Sequence, residues 1–113
     1  MKIEILYFDG CPNHRPAVKR VRQLLREEGV SAELLEVNVS DASIAQKVGF
    51  LGSPSVRVNG LDVEPEARAA REYGMMCRTY SLGGRREGLP WPEKVRANPQ
   101  ILSVLCGRTP QHR

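Results

Sequence analysis

With 113 residues, 41% of them hydrophobic and 27% charged, the chain has the size and composition of one globular domain, which excludes disordered and fibrous classes. The formal charge of +4 comes with 5% aromatic residues and no basic run interleaved with them, so no nucleic-acid interface is expected. No apolar run approaches the ~20 residues of a membrane helix, and Met1-Lys2-Ile3-Glu4 has an acid within its apolar start and lacks a small-residue cleavage site, so no membrane and a cytoplasmic location are expected.

Residues 3–8 set Ile3, Ile5 and Tyr7 against Glu4, Leu6 and Phe8, the alternation of a buried first strand, which Asp9-Gly10 breaks. From Pro12 to Glu28, Ala17, Val18, Val21, Leu24 and Leu25 recur at helical spacing and Gly29 supplies the stop. Ala32 to Val39 reads as a second strand, giving a βαβ unit with parallel strands. Ser40 or Asp41 caps a short helix through Val48 that ends at Gly49. Ser55–Val58 and Leu61–Val63 flank Asn59-Gly60, a type I′ hairpin signal. Beyond the hairpin, Glu64-Pro65 opens a short helix through Tyr73, with Gly74 after it. Met75–Tyr80 has no clear pattern, and residues 83–90 read as a loop. Asn98-Pro99 then starts a last helix with Ile101, Leu102 and Leu105 on one face, ending at Gly107. The expected organisation is a single α/β domain over residues 1–107 and a frayed tail over 108–113.

Three cysteines, an odd number without secretory context, point to reactive or buried thiols rather than a disulfide framework. Cys11 stands at the first strand-to-helix junction. There, unpaired backbone N–H groups and the positive end of the helix dipole lower a thiol pKa from about 8.5. Pro12 suits a first helical turn, His14 lies three residues on and stabilises a thiolate when protonated, and Arg15 is a further cation. The plainer alternative makes Cys11 a small turn residue and His14 a solvated group. Cys77 follows Met75-Met76, and a core thiol and a functional thiol are both open there; Cys106, beside Leu105, reads as a buried hydrophobe. Without a paired Cys-x-x-Cys, and with only His14 and His112 as histidines, no zinc site is expected.

Strand, Cys11-Pro12-Asn13-His14, helix, strand, helix, Gly52-Ser53-Pro54-Ser55, hairpin, helix resembles the thioredoxin and glutaredoxin superfamily, over about residues 2–63 and the last helix. Relative to that core, residues 64–97 are an insertion. More narrowly, Phe8-Asp9-Gly10-Cys11-Pro12-Asn13-His14 looks like small bacterial thioredoxin-like proteins, some of them encoded near or fused to organomercurial-lyase-type proteins. The resemblance implies a thioredoxin-like α/β fold, Cys11 as nucleophile, His14 beside it, and a cis-proline at Pro54 packed against the sulfur. Pro12, Asn13, Arg15, Ser53 and Ser55 would line a substrate groove in which an extended ligand adds as a strand.

His14 stands where a second cysteine is usual, so a disulfide between motif neighbours cannot form. Three routes follow. Cys11 forms a mixed disulfide that glutathione or another small thiol resolves, with no tightly bound cofactor. Cys77 resolves it instead, which needs the two Cα atoms within ~7 Å. Or Cys11 and Cys77 hold a soft metal ion, mercury or an organomercurial entering through the family association alone. The spacing Cys11-x-x-x-Arg15 also resembles that of glutaredoxin-linked arsenate reductases. A non-catalytic interaction module would instead use the basic helix face of Arg15, Lys19, Arg22 and Arg26.

Overall fold

Alternation along the first strand decides the layering. In the computed structural model, which describes residues 1–108 and side chains up to Ser103, the elements run β1 (Lys2–Tyr7), α1 (His14–Glu28), β2 (Glu33–Asn38), α2 (Ala42–Val48), β3 (Ser55–Val58) and β4 (Leu61–Asp62). A 3-10 turn (Pro65–Ala67), β5 (Tyr80–Leu82), β6 (Arg85–Glu87), α3 (Pro92–Arg96) and α4 (Pro99–Arg108) follow. The sheet order is β2-β1-β3-β4, with β1 parallel to β2 and antiparallel to β3. Ile3 and Ile5 send their side chains into one core with Val21 and Leu24 of α1, Val56 and Val58 of β3, Val63, Tyr80, Val95 and Ile101. Leu6 faces the opposite side, where Val39, Ala45 and Phe50 form a second core that Phe8, Val37 and Ile44 extend. The result is a mixed four-stranded sheet with α1 on one face and α2 on the other.

Local chemistry accounts for the ends. Gly29 and Gly49 stop α1 and α2 in the left-handed conformation, at φ 66° and 69°. Asp41 rather than Ser40 caps α2, its Oδ1 accepting from the Ile44 N–H at 2.9 Å. Asn59 and Gly60 both have positive φ, as a type I′ turn requires. Asn98 caps α4, its Oδ1 accepting from the Gln100 N–H at 2.9 Å. The expected end of that helix at Gly107 shifts by one residue to Arg108, residues 109–113 of the expected frayed tail lie outside the described residues, and the reading of Cys106 as a buried hydrophobe falls outside the described side chains. Among the described residues no helix is long and apolar enough to cross a membrane.

Residues 64–97 depart most from expectation. The helix predicted from Glu64 through Tyr73 shrinks to the 3-10 turn at Pro65–Ala67. Nothing larger than alanine is available to bury between Glu66 and Arg71, and helices this short form only when packing stabilises them. Asp62 shapes the start instead: its Oδ1 accepts from the Glu64 N–H at 2.8 Å and its carbonyl from Arg68 Nε at 2.8 Å. The predicted loop over 83–90 is partly a hairpin, in which Gly83 and Gly84, at φ 58° and 82°, turn β5 into β6. Tyr80-Ser81-Leu82 alternates before this turn, but Arg85-Arg86-Glu87 after it has no apolar residue, so the two-sided pattern that marks Asn59-Gly60 is missing. Pro92 starts the short α3, which the sequence reading lacked, and Trp91 before it donates from Nε1 to the Tyr80 carbonyl at 3.1 Å.

Candidate functional site

Two successive turns carry the chain from β1 to α1 and hold Cys11 between them. The Cys11 N–H donates to the Phe8 carbonyl at 3.3 Å around Asp9-Gly10, with Gly10 at φ 87°. The Cys11 carbonyl then accepts from the His14 N–H at 3.3 Å around Pro12-Asn13. Asn13 sits at φ −97°, ψ 2°, the third position of a type I turn, where proline is favoured just before it. Pro12 therefore serves this turn and not the first turn of the helix, which begins only at His14. That changes the electrostatics expected for Cys11. One first-turn donor, the His14 N–H, is already bonded to the Cys11 carbonyl, and Pro16 has no N–H to offer. The thiol itself is half-buried and opens on a cleft of about 490 Å³ lined by Tyr7, Phe8, Asp9, Pro12, His14 and Arg15, among others.

His14 borders the same cleft, but its polar end is engaged elsewhere. Its Nε2 lies 2.7 Å from Glu36 Oε1 on β2, and its ring stacks on Tyr7 with centroids 3.5 Å apart and planes 5° from parallel. The register explains the trio: Tyr7 and Glu36 project from neighbouring parallel strands on the face that α1 covers. Any positive charge on His14 is shared first with Glu36, a partner that no spacing in the sequence announces. Asn13 meets residues 64–97: its side-chain amide lies against Gly88, where a Cβ would push it aside. Arg15 remains exposed.

The loop around Pro54 is internal. The Ser53-Pro54 bond is cis, as the resemblance implied, and Ser53, Pro54 and Ser55 are all buried. Ser53 Oγ accepts from the Phe8 N–H at 3.4 Å, tying this loop to the turn that carries Cys11. The backbone of Ser53 is occupied by the chain itself: its N–H donates to the Met76 carbonyl at 2.8 Å and its carbonyl accepts from the Arg78 N–H at 3.0 Å. Cys77 is thus bridged to Ser53 in parallel register. An added strand would need these two groups, so Ser53 and Ser55 do not line an open groove. Gly52 makes the approach feasible: at φ 114°, a Cβ there would meet Arg78 Cβ at 3.0 Å and the Met76 carbonyl at 3.1 Å.

Arg78 and Tyr80, which no sequence feature singled out, lock this arrangement. The Arg78 guanidinium forms two bonds of 2.7 Å to the Asp62 carboxylate and one of 3.0 Å to Ser55 Oγ, and lies 4.5 Å over the Tyr80 ring. Ser55 in turn donates to the Gly52 carbonyl, and the Tyr80 hydroxyl to the Pro54 carbonyl, each at 2.5 Å. Both members of the ion pair are buried, so the bidentate geometry and the added hydroxyl offset the cost of removing two charges from water. Burial by itself depresses the Arg78 pKa, yet the bond to Asp62 and the charges of Tyr80, Asp62 and Glu64 outweigh it and raise the value above normal. A weak signal existed, in that Arg78 and Tyr80 straddle exposed Thr79 with the period of a strand.

Cys77 is exposed, as are Met75 and Met76 at 40% and 41%. Met75 lines a small cleft together with Phe8 and Asp9, which brings its thioether to the turn before Cys11. Among the described residues no group of three or more His, Cys, Asp and Glu is gathered as a metal cluster. No family model, curated protein or solved structure matches this chain.

Proposed function

We propose that this chain is a thioredoxin-like thiol-exchange protein with Cys11 as its single attacking sulfur. The observation that carries the reading is the half-buried thiol on its own cleft, in a turn bonded through Phe8 to the Ser53–Pro54 loop. The mixed sheet, with β1 parallel to β2 and antiparallel to β3, and the cis bond at Pro54 agree with that fold. In the reaction, the Cys11 thiolate attacks one sulfur of a substrate disulfide. A bond forms between Cys11 and that sulfur while the other sulfur leaves as a thiolate, to be protonated by solvent. A second thiolate then attacks the mixed disulfide and returns Cys11. Glutathione or another small thiol is one source of that second sulfur, and Cys77, held opposite Ser53, is the other. His14, braced by Glu36 and Tyr7, borders the cleft as a polar wall, and Pro54 acts by fixing the loop behind it.

Alkylation of each cysteine as a function of pH, read by mass spectrometry, tests this, followed by disulfide mapping after mild oxidation. Cys11 is expected to react faster at neutral pH than Cys77 or Cys106 and to be recovered in mixed disulfides. A Cys11 no faster than Cys106 that never crosslinks would sink the reading and favour a non-catalytic interaction module.

One observation favours a second reading, binding of a soft metal ion or organomercurial by Cys11 and Cys77. Met75, Met76 and Cys77 present three exposed sulfur side chains in sequence, and Met75 reaches the turn before Cys11. Protection of both cysteines from alkylation by one equivalent of mercuric ion is its expected signature, and independent protection of each contradicts it.

A further inference from the structure

A second concavity lies away from Pro54. A cleft of about 760 Å³ runs along α1 on the side facing β2, and Arg15, Lys19, Arg22 and Arg26 line it. All four are exposed, and none forms an ion pair among the described residues. Two carboxylates also border the cleft, Glu27 and Glu36, and both have partners already. Glu27 Oε1 lies 3.7 Å from Arg96 and Glu27 Oε2 accepts from Gln23 at 3.1 Å, while Glu36 is bonded to His14. Four cations set against two carboxylates leave the cleft net positive.

Its shape is equally informative. The floor is the stacked Tyr7 and His14 pair with Val18, an aromatic and aliphatic surface. Tyr7, His14 and Arg15 line both this cleft and the one at Cys11, so the two adjoin. At the far end, Arg22 and Arg26 also border a hollow that contains Leu25, Val30 and Leu34. From Arg15 to Arg26 the helix rises about 16 Å, which an extended chain covers in about five residues. A small dianion engages one or two of these cations. Four cations in a line along one cleft fit a polymer of negative charge, and the concavity and single stacked pair fit a polypeptide rather than a flat lipid surface or a row of bases.

We propose that the groove along α1 docks an extended acidic segment of a partner protein, with its carboxylates on Arg15, Lys19, Arg22 and Arg26 and one end at the Cys11 cleft. Strand addition at Ser53 is closed to such a partner, because Met76 and Arg78 occupy both backbone groups. Docking needs no thiol chemistry. Only the last step, placing a partner disulfide over Cys11, rests on the thiol-exchange reading.

The test uses a fluorescent octapeptide of alternating glutamate and glycine carrying one terminal cysteine as a mixed disulfide with glutathione, and the same peptide with glutamine for glutamate. Anisotropy is expected to show binding of the acidic peptide alone, weakening as salt shortens the Debye length below about 10 Å. Arg22→Glu with Arg26→Glu should lower the affinity by at least about tenfold. Lys47→Glu with Arg71→Glu makes the same change in net charge away from the groove and should leave binding intact. Equal losses in the two double variants, binding of the glutamine peptide, or preferential binding of anionic vesicles or of an oligonucleotide would each overturn the proposal. Cys11→Ser should bind the acidic peptide normally. If the wild-type chain binds it through the groove but never exchanges disulfides with it, docking stands and the thiol-exchange reading falls.

Discussion

Between Lys2 and Val63, neighbours in sequence decide the structure: apolar residues recur at strand or helix spacing, and glycine or a capping aspartate ends each element. Between Glu64 and Ala97, partners distant in sequence decide it. Arg78 is held by Asp62, Tyr80 by Pro54, and Arg20 of α1 reaches the Pro90 carbonyl at 3.2 Å. The first region forms the sheet. The second contributes Tyr80 and Val95 to the main core and satisfies the backbone of the Ser53–Pro54 loop, so it is a structural half of the site and not a removable cover. A region without a sequence period is here a wall by packing.

The comparison breaks if the second region unfolds without harming the first. Arg78→Met is the severest probe, because it leaves the Asp62 carboxylate buried without its cation; a loss of about 3–5 kcal/mol is expected in urea denaturation. The companion Asp62→Leu with Arg78→Met should recover part of that loss. A cost below about 1 kcal/mol for Arg78→Met would show that residues 64–97 are only loosely attached.

Tyr80→Phe comes next, at about 1–3 kcal/mol, since it strands the buried Pro54 carbonyl. It also sharpens the comparison through pH. Burial, first, and then the neighbouring carboxylates raise the Tyr80 pKa well above its ordinary value, against the pull of Arg78. The native state therefore keeps a proton that the unfolded state releases above about pH 10. The stability tied to Tyr80 is complete below that pH and lost as the pH rises further. A stability profile across the alkaline range should fall more steeply for the wild type than for Tyr80→Phe, and parallel curves would refute the assignment.

In the first region, Asp41→Ala removes the α2 cap and should cost about 1 kcal/mol without altering the reactivity of Cys77. The smallest effect is expected from Glu87→Gln. Its contact with Arg20 is 3.5 Å long and partly solvated, so thermal denaturation should register roughly 0–1 kcal/mol.

Residue order alone determined β1 through β4, α1, α2 and the cap of α4, because hydrophobic period, glycine stops and turn chemistry act within a few residues. It also placed Cys11 at the β1–α1 junction and marked Asn59-Gly60. Only the tertiary structure decided what surrounds that thiol. His14 turned out to be shared with Glu36 and Tyr7, the Ser53 edge to be closed by Met76 and Arg78, and the basic face of α1 to be the rim of a groove. The physical reason is common to all three. Hydrogen bonds and ion pairs between residues far apart in the chain leave no periodicity behind, and a buried Arg78 or Tyr80 reads in sequence like any surface residue until its partner is brought to it.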